Sequence, residues 1–315
     1  MNRNSFIIAI LIITTSIFIG CGGGSGGGGG NNWGGSSSYS SPTSTPTTSP
    51  TPSPSPSPSL SPNITFRFDW TRAVYCGGIT LGNSSLAVTE VLNRAILLVN
   101  PDNTINNYIP LNYAPHDICL NSTYWYLLDH NSGNIYRYAL NWENQTHIIN
   151  IANCNGISTN NLFFVTIQDG SYRVFDTSGT EQGFSPVVTG ITPGEITIDK
   201  DNNVYTTDSA NCQIKKYSLT GNLLLTFSNR GSADGELNNP QGIALDNSGN
   251  IYVADRGNFR FQVFDSTGNF LGKCGTQGNG NGEFQGILDI AVSPDGLTIY
   301  TSDDIINIVQ KFTEQ

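Results

Sequence analysis

The chain carries little charge, and less of it is positive than negative. Of 315 residues only 14 are Lys or Arg, against 24 Asp or Glu, for a formal net charge of −10. No Lys/Arg cluster interrupts the sequence, which argues against the basic face that nucleic-acid binding needs. After residue 19 there is no second long apolar run, so nothing further reads as a membrane-spanning helix. Neither HExxH, Gly-x-Ser-x-Gly nor a phosphate-binding loop is present, which removes three motif-marked enzyme classes. CxxC is also missing. Beyond Cys21 five cysteines remain (Cys76, Cys119, Cys154, Cys212 and Cys274), and an odd number leaves at least one unpaired within the chain.

The apolar run that does exist lies at residues 6–19, FIIAILIITTSIFI, behind Arg3. It is too short to cross a bilayer comfortably and has the make-up of a signal-peptide core. It ends in Phe18-Ile19-Gly20-Cys21, which resembles a bacterial lipobox, with Phe18 in place of the usual Leu. The resemblance implies a signal peptide over 1–20, a lipidated Cys21, and residence in a bacterial cell envelope, periplasmic or surface-exposed. An ordinary cleaved signal beside a chance Cys is the alternative. Residues 22–62 continue as a tether, first Gly/Ser-rich and then Pro-rich. Such a segment cannot bury enough apolar surface to fold. Its second half favours extended polyproline II, at about 3.1 Å per residue.

From residue 63 to 315 the sequence becomes periodic. A small or acidic residue precedes an isoleucine at Gly78–Ile79, Asp117–Ile118, Gly156–Ile157, Glu195–Ile196, Gly242–Ile243 and Asp289–Ile290. Successive isoleucines are separated by 39, 39, 39, 47 and 47 positions. A period near 40 with alternating strands inside each unit predicts an all-β fold, a β-propeller of six blades.

One unit is explicit. Residues 239–264, NPQGIALDNSGNIYVADRGNFRFQVF, resemble the NHL repeat closely, through Pro240, Gly242, Asp246, Gly249, Tyr252, Asp255, Asn258, Arg260 and Gln262. The unit at Ile196 keeps Asp199, Tyr205, Asp208 and Asn211 but lacks the Arg. The last keeps Pro294, Gly296, Tyr300 and Asp303, and the first three match in spacing alone. The resemblance implies a six-bladed NHL-like propeller.

The unit plan sorts the loops. Strands run up and down, so strand-one starts, strand two–three loops and the connections after strand four share one face. Tight turns such as Asn247–Asn250 and Ser266–Asn269 share the other; Gly and Asn there accept positive φ. The longer glycine-rich connections GSADGEL and GTQGNGNGEF fall on the first face. The last unit is one strand short, and Ile64–Trp70 alternates as the strand that would complete it and leave no open seam.

Two acidic sets emerge. Asp117, Glu195 and Asp289 occupy the anchor position in alternate units, where they could ring the axis and offer oxygen ligands to Ca²⁺. Six-bladed relatives of the lactonase and amidating-lyase kind hold metal at that place, and His116 beside Asp117 is a candidate general base. The alternative is that these side chains only bond strand-one backbone or face solvent. The second set follows strand two: Glu90, Asp129, Asp208, Asp255 and Asp303, with Gln168 in the third unit. Asp255, followed by Asn258 and Arg260, points to a structural role in which a carboxylate accepts loop N–H groups and pairs with an Arg. His116, His130 and His147 fall at three different repeat phases, so they do not form one metal site. Asp199–Asn203 opens like a calcium loop but has Val204 and Ala210 where that loop needs Gly and Glu, so it reads as a hairpin turn.

These features lead to an expectation of a lipid-anchored, non-catalytic scaffold. It would bind a protein, peptide or glycan on the loop-rich face and no nucleic acid. The rival is a metal-dependent hydrolase, lactonase or lyase using the central carboxylates.

Overall fold

The computed structural model describes residues 64–315 except 83, 130, 161, 168, 169, 184 and 186. The expected signal peptide and tether, with Cys21, lie outside the described residues, as do His130 and Gln168.

Among the described residues six four-stranded antiparallel sheets follow one another. Blade one comprises Cys76–Leu81, Leu86–Glu90, Ala95–Val99 and Ile105–Pro110; blade two, Pro115–Leu120, Tyr124–Asp129, Asn134–Ala139 and Thr146–Asn150. Blade three has Cys154–Thr159, Leu162–Ile167, Ser171–Asp176 and the short Val187–Val188. Blade four is Pro193–Ile198, Val204–Asp208, Gln213–Tyr217 and Leu223–Phe227. Blade five is Pro240–Leu245, Ile251–Asp255, Arg260–Phe264 and Phe270–Cys274. Blade six takes Ile287–Val292, Thr298–Asp303 and Ile308–Glu314 from the C-terminal end and Phe66–Ala73 from the N-terminal end.

The closing strand begins and ends later than its alternation suggested. A bulge at Asp69 shifts the register between Phe68 and Trp70, after which pairing continues to Ala73 opposite Ile308. Asp69 accepts from Lys311 Nζ at 3.2 Å across that bulge. Ahead of the strand, Ile64 donates to Leu271 O of blade five at 3.1 Å, so the chain enters beside two blades at once.

The core is divided among the blade junctions. The isoleucine after each anchor packs between its own blade and a neighbour. Ile118 sits with Leu98, Trp125 and Tyr138 between blades one and two, and Ile157 with Tyr126 and Phe175 between two and three. Blades three and four share Val174 and Ile196, and four and five share Tyr205 and Ile243. Phe261, Phe312 and Ile290 join five to six, and Ile79, Val88 and Tyr300 join six to one. Packing on both faces leaves the second strands of blades two, four and five buried almost throughout, polar residues such as Thr206 and Thr207 included.

Tight turns close the hairpins. Asp246 Oδ1 accepts from Asn250 N at 2.9 Å and its Oδ2 from Asn250 Nδ2 at 2.8 Å, while Gly249 takes φ +85°. The same pattern recurs at Asp265–Asn269 and at Asp199–Asn203, which is a hairpin turn. An Asp side chain here supplies the acceptor that the turning backbone lacks.

Candidate axial site

The first strand of every blade is an edge strand of its sheet, paired only with the second. Its inner edge therefore turns unpaired N–H and C=O groups toward the axis, and buried backbone groups need partners. The anchor carboxylates meet that need. Asp117 Oδ1 accepts from Ile118 N and Oδ2 from Ile157 N of blade three, both at 2.7 Å. Asp289 Oδ1 accepts from Ile290 N and Oδ2 from Ile79 N of blade one, again at 2.7 Å. Glu195 accepts from Ile196 N. Asp117 and Asp289 each bond the strand-one backbone of the following blade.

The glycines at the alternate anchors are the other half of this joint. A Cβ on Gly78 would fall on Asp117 Oδ1, and one on Gly156 on Glu195 Oε2; one on Gly242 would lie 2.7 Å from Asp289 Cα. A carboxylate from one blade occupies the space that the absent side chain of the preceding blade leaves. This is why acid and glycine alternate around the ring.

Asp117 and Asp289 are buried and Glu195 is half-buried. Burial raises all three above the usual carboxylate range. Repulsion from Asp289 raises Asp117 further, to about 8, and repulsion from Asp117 and Asp289 adds to the rise at Glu195. Asp289 reaches about 7, its two backbone N–H bonds opposing the rise.

The three acids lie between two spaces. Toward the hairpin face a cavity of about 840 Å³ is lined by first-strand residues beyond the anchors, down to turn residues such as Asn121, Ser122 and Pro294. Toward the loop-rich face a smaller space of about 200 Å³ is lined by His116, Asn155, Gln241 and Leu288 among others. Glu195 borders both. The larger space therefore opens on the face opposite the long loops. That differs from the sequence expectation, because the inner edges lie open to the axis beyond the acids.

His116 lines the smaller space, and its carbonyl accepts from Thr89 Oγ1 at 3.1 Å. His147 is on an outer strand with Asn134 Oδ1 3.1 Å away. Among the described residues no group of three or more His, Cys, Asp or Glu side chains is placed to hold a metal ion. The oxygens of Asp117 and Asp289 accept strand-one backbone bonds, the arrangement named as the alternative to calcium binding. The five described cysteines are free thiols, four of them buried.

The second acidic set stands at the last residue of strand two in its blades. Asp255 accepts from Asn238 N at 2.7 Å, Asn258 Nδ2 at 2.9 Å, Arg260 Nε at 2.8 Å and Gln262 Nε2 at 3.0 Å. Arg260 also donates to the carbonyls of Ala233 and Glu236, so the whole 4–5 connection is clasped. Burial still raises Asp255 despite these donors, with Asn258, Asn238 and Arg260 opposing the rise. Asp303 accepts from Gln285 N and Gly286 N at 2.8 Å, and from Ile305 N and Ile306 N at 3.0 and 3.1 Å. Asp208 holds Asn211 and Lys215, at 2.9 Å each.

Sequence reasoning missed a third set. Thr89, Thr207 and Ser302 precede the acid at the end of strand two, and each donates to the next blade: to His116 O, Gln241 O and Gly77 O at 3.1, 2.8 and 3.1 Å. A hydroxyl before the acid, as in Thr89–Glu90, Thr207–Asp208 and Ser302–Asp303, was the available signal. Gln262 and Gln310 were also passed over as clamps. Each bonds a Gly N–H and a Glu carbonyl of the long connection before its blade.

The NHL repeat model matches residues 237–264, the first three strands of blade five and their approach. No curated protein matches the chain by sequence. Solved structures share the fold. A protein of unknown function from Bacteroides thetaiotaomicron is 13% identical, with a TM-score of 0.64 over 78% of this chain and 70% of that one. A streptogramin B lyase is 14% identical, with a TM-score of 0.57 over 80% and 98%. An auxiliary nutrient binding protein from Bacteroides thetaiotaomicron is 14% identical, with a TM-score of 0.61 over 77% and 70%. At these identities the likeness is one of fold.

Proposed function

From an NHL-repeat β-propeller, we propose a non-catalytic binding scaffold, exported and lipid-anchored through Cys21 in a bacterial cell envelope, which holds a protein, peptide or glycan. One observation carries this reading. Two of the three axial acids, Asp117 and Asp289, each accept one backbone N–H from their own blade and one from the following blade. A metal or a substrate group at these oxygens would compete with bonds that join the blades. What remains is a rigid ring with long connections on one face and an open axial cavity on the other. Loops on a rigid scaffold are where binding concentrates.

The test has two arms. The full chain, purified in detergent, is used to capture ligands from native envelope extract, and membrane retention of Cys21→Ser is compared with wild type. A reproducible ligand and release of the variant are expected. No captured ligand, together with turnover of a lactone or a cyclic depsipeptide that Asp117→Asn abolishes, would replace this reading with the enzymatic one. Undiminished retention of Cys21→Ser after a carbonate wash would remove the lipid anchor.

A further inference from the structure

The large axial cavity has walls whose chemistry can be read strand by strand. In a β-strand the N–H and C=O of one residue point to the same edge, and the pattern repeats every second residue. The N–H groups of Ile79, Ile118, Ile157 and Ile290 turn inward, since each is received by an axial carboxylate. Their carbonyls therefore face the axis too. So do the N–H and C=O groups two residues on, at Leu81, Leu120, Thr159 and Val292, all of which line the cavity. The next residue turns back to its own hairpin, as Gly82 N to Ser85 O and Asn121 N to Tyr124 O confirm. Below the acids the axis is thus ringed by carbonyls and then by N–H groups from several sides.

The side chains add hydroxyls and amides, including Thr80, Ser158, Thr197 and Asn160, and no Lys, Arg or His appears among the described lining residues. The volume of about 840 Å³ falls within the roughly 300–1,000 Å³ of small-molecule sites. Such a wall fits a ligand bearing donors and acceptors around its whole circumference. An extended peptide has them on two edges only. A sugar ring carries hydroxyls around its rim. The inner end, formed by Asp117, Glu195 and Asp289, offers no counter-charge to an anion.

We propose that the axial cavity, entered from the hairpin face, is an end-on binding site for a neutral saccharide unit. It rests on the reading of the chain as a binding protein and adds to it a second location, away from the long loops.

The full chain in detergent is screened on an array of neutral glycans. It is then titrated by calorimetry and saturation-transfer NMR with the best binder, with digalacturonate as the anionic control and acetyl-triglycine amide as the peptide control. Ser122→Trp, at the exposed mouth, and Ser158→Trp, deeper in, are compared with wild type. A neutral saccharide is expected to bind, with affinity at least ten-fold weaker in Ser122→Trp at an unchanged melting temperature, and with neither control competing. Absence of any neutral binder at millimolar concentration would overturn the site. So would undiminished binding in Ser122→Trp, or equal competition by either control. Envelope capture is repeated in parallel with wild type and Ser122→Trp. If capture persists while saccharide binding is absent, this site alone falls. If wild type captures nothing and binds no saccharide, the scaffold reading falls with it.

Discussion

Blade five and blade three follow the same four-stranded plan but are secured by different means. In blade five, Asp255, Asn258, Arg260 and Gln262 reach back to hold the connection that runs from Phe227 to Pro240. The connection that enters blade three, from Asn150 to Cys154, is short, and Ile151 N donates to Gly133 O at 2.7 Å. The blade's Arg173 instead pairs with Glu181 at the surface and lies over Phe175. The difference teaches what the recognisable repeat encodes. The motif is a side-chain clasp for a long connection, and a blade with a short one folds without it.

Removing the clasp should have the largest effect. Asp255→Ala leaves the buried Arg260 without its carboxylate, so a loss of about 3–5 kcal/mol is expected, measured by calorimetric or denaturant unfolding. A loss below about 1 kcal/mol would mean that the clasp is not what distinguishes blade five. The anchor glycines sharpen the contrast next. Gly242→Ala pushes a Cβ against backbone of Asp289 and should cost about 1–3 kcal/mol. Gly156→Ala in blade three meets only the end of the flexible Glu195 side chain and should cost less. Equal losses in the two blades would contradict the steric account.

The axial acids, which lie in blades two, four and six, give a pH dependence that stands apart from this contrast. Asp117 and Asp289 have folded values near 8 and 7, above the ordinary 3.8. The folded state then holds more protons than the unfolded chain between about 4 and 8, so stability declines as pH rises through that window. The melting temperature should be lower at pH 8.5 than at pH 5.5, and the slope should flatten in Asp117→Asn/Asp289→Asn. A rise in wild-type melting temperature over that interval would contradict the buried ring. The smallest effect is expected from Arg173→Ala, which removes a partly exposed ion pair and should cost under about 1 kcal/mol in the same unfolding assay.

Much of the ring was legible beforehand because its signals are local. The hairpins of blade five turn at Asn247–Asn250 and Ser266–Asn269, as read from the sequence, with Asp246 and Asp265 accepting at the start of each. The closing strand was visible from alternation at Ile64–Trp70, but its extension to Ala73 was hidden by the bulge at Asp69, which breaks the period-two pattern. The positions of the axial acids could be read from the period, but their partners could not. Asp117 bonds Ile157, forty residues away, through a backbone N–H that any residue would supply. The open side of the axis was equally hidden, because main-chain groups line it.

The strand Phe66–Ala73 is among the first parts of the ring to be synthesised and among the last to be paired. Its partner, Ile308–Glu314, is made at the other end of the chain. Every other blade can assemble from neighbouring segments as they appear, but the sixth must wait until the C-terminal strands exist. Until then Phe66 and Phe68 lack the ring contacts they make with Phe261 and Phe312. Contacts this distant in sequence form slowly and leave sticky surface uncovered meanwhile. A chain cut short before residue 308 would keep five hairpin-built blades and an orphaned strand. Closure of the ring therefore depends on both ends of the folded region being present at once.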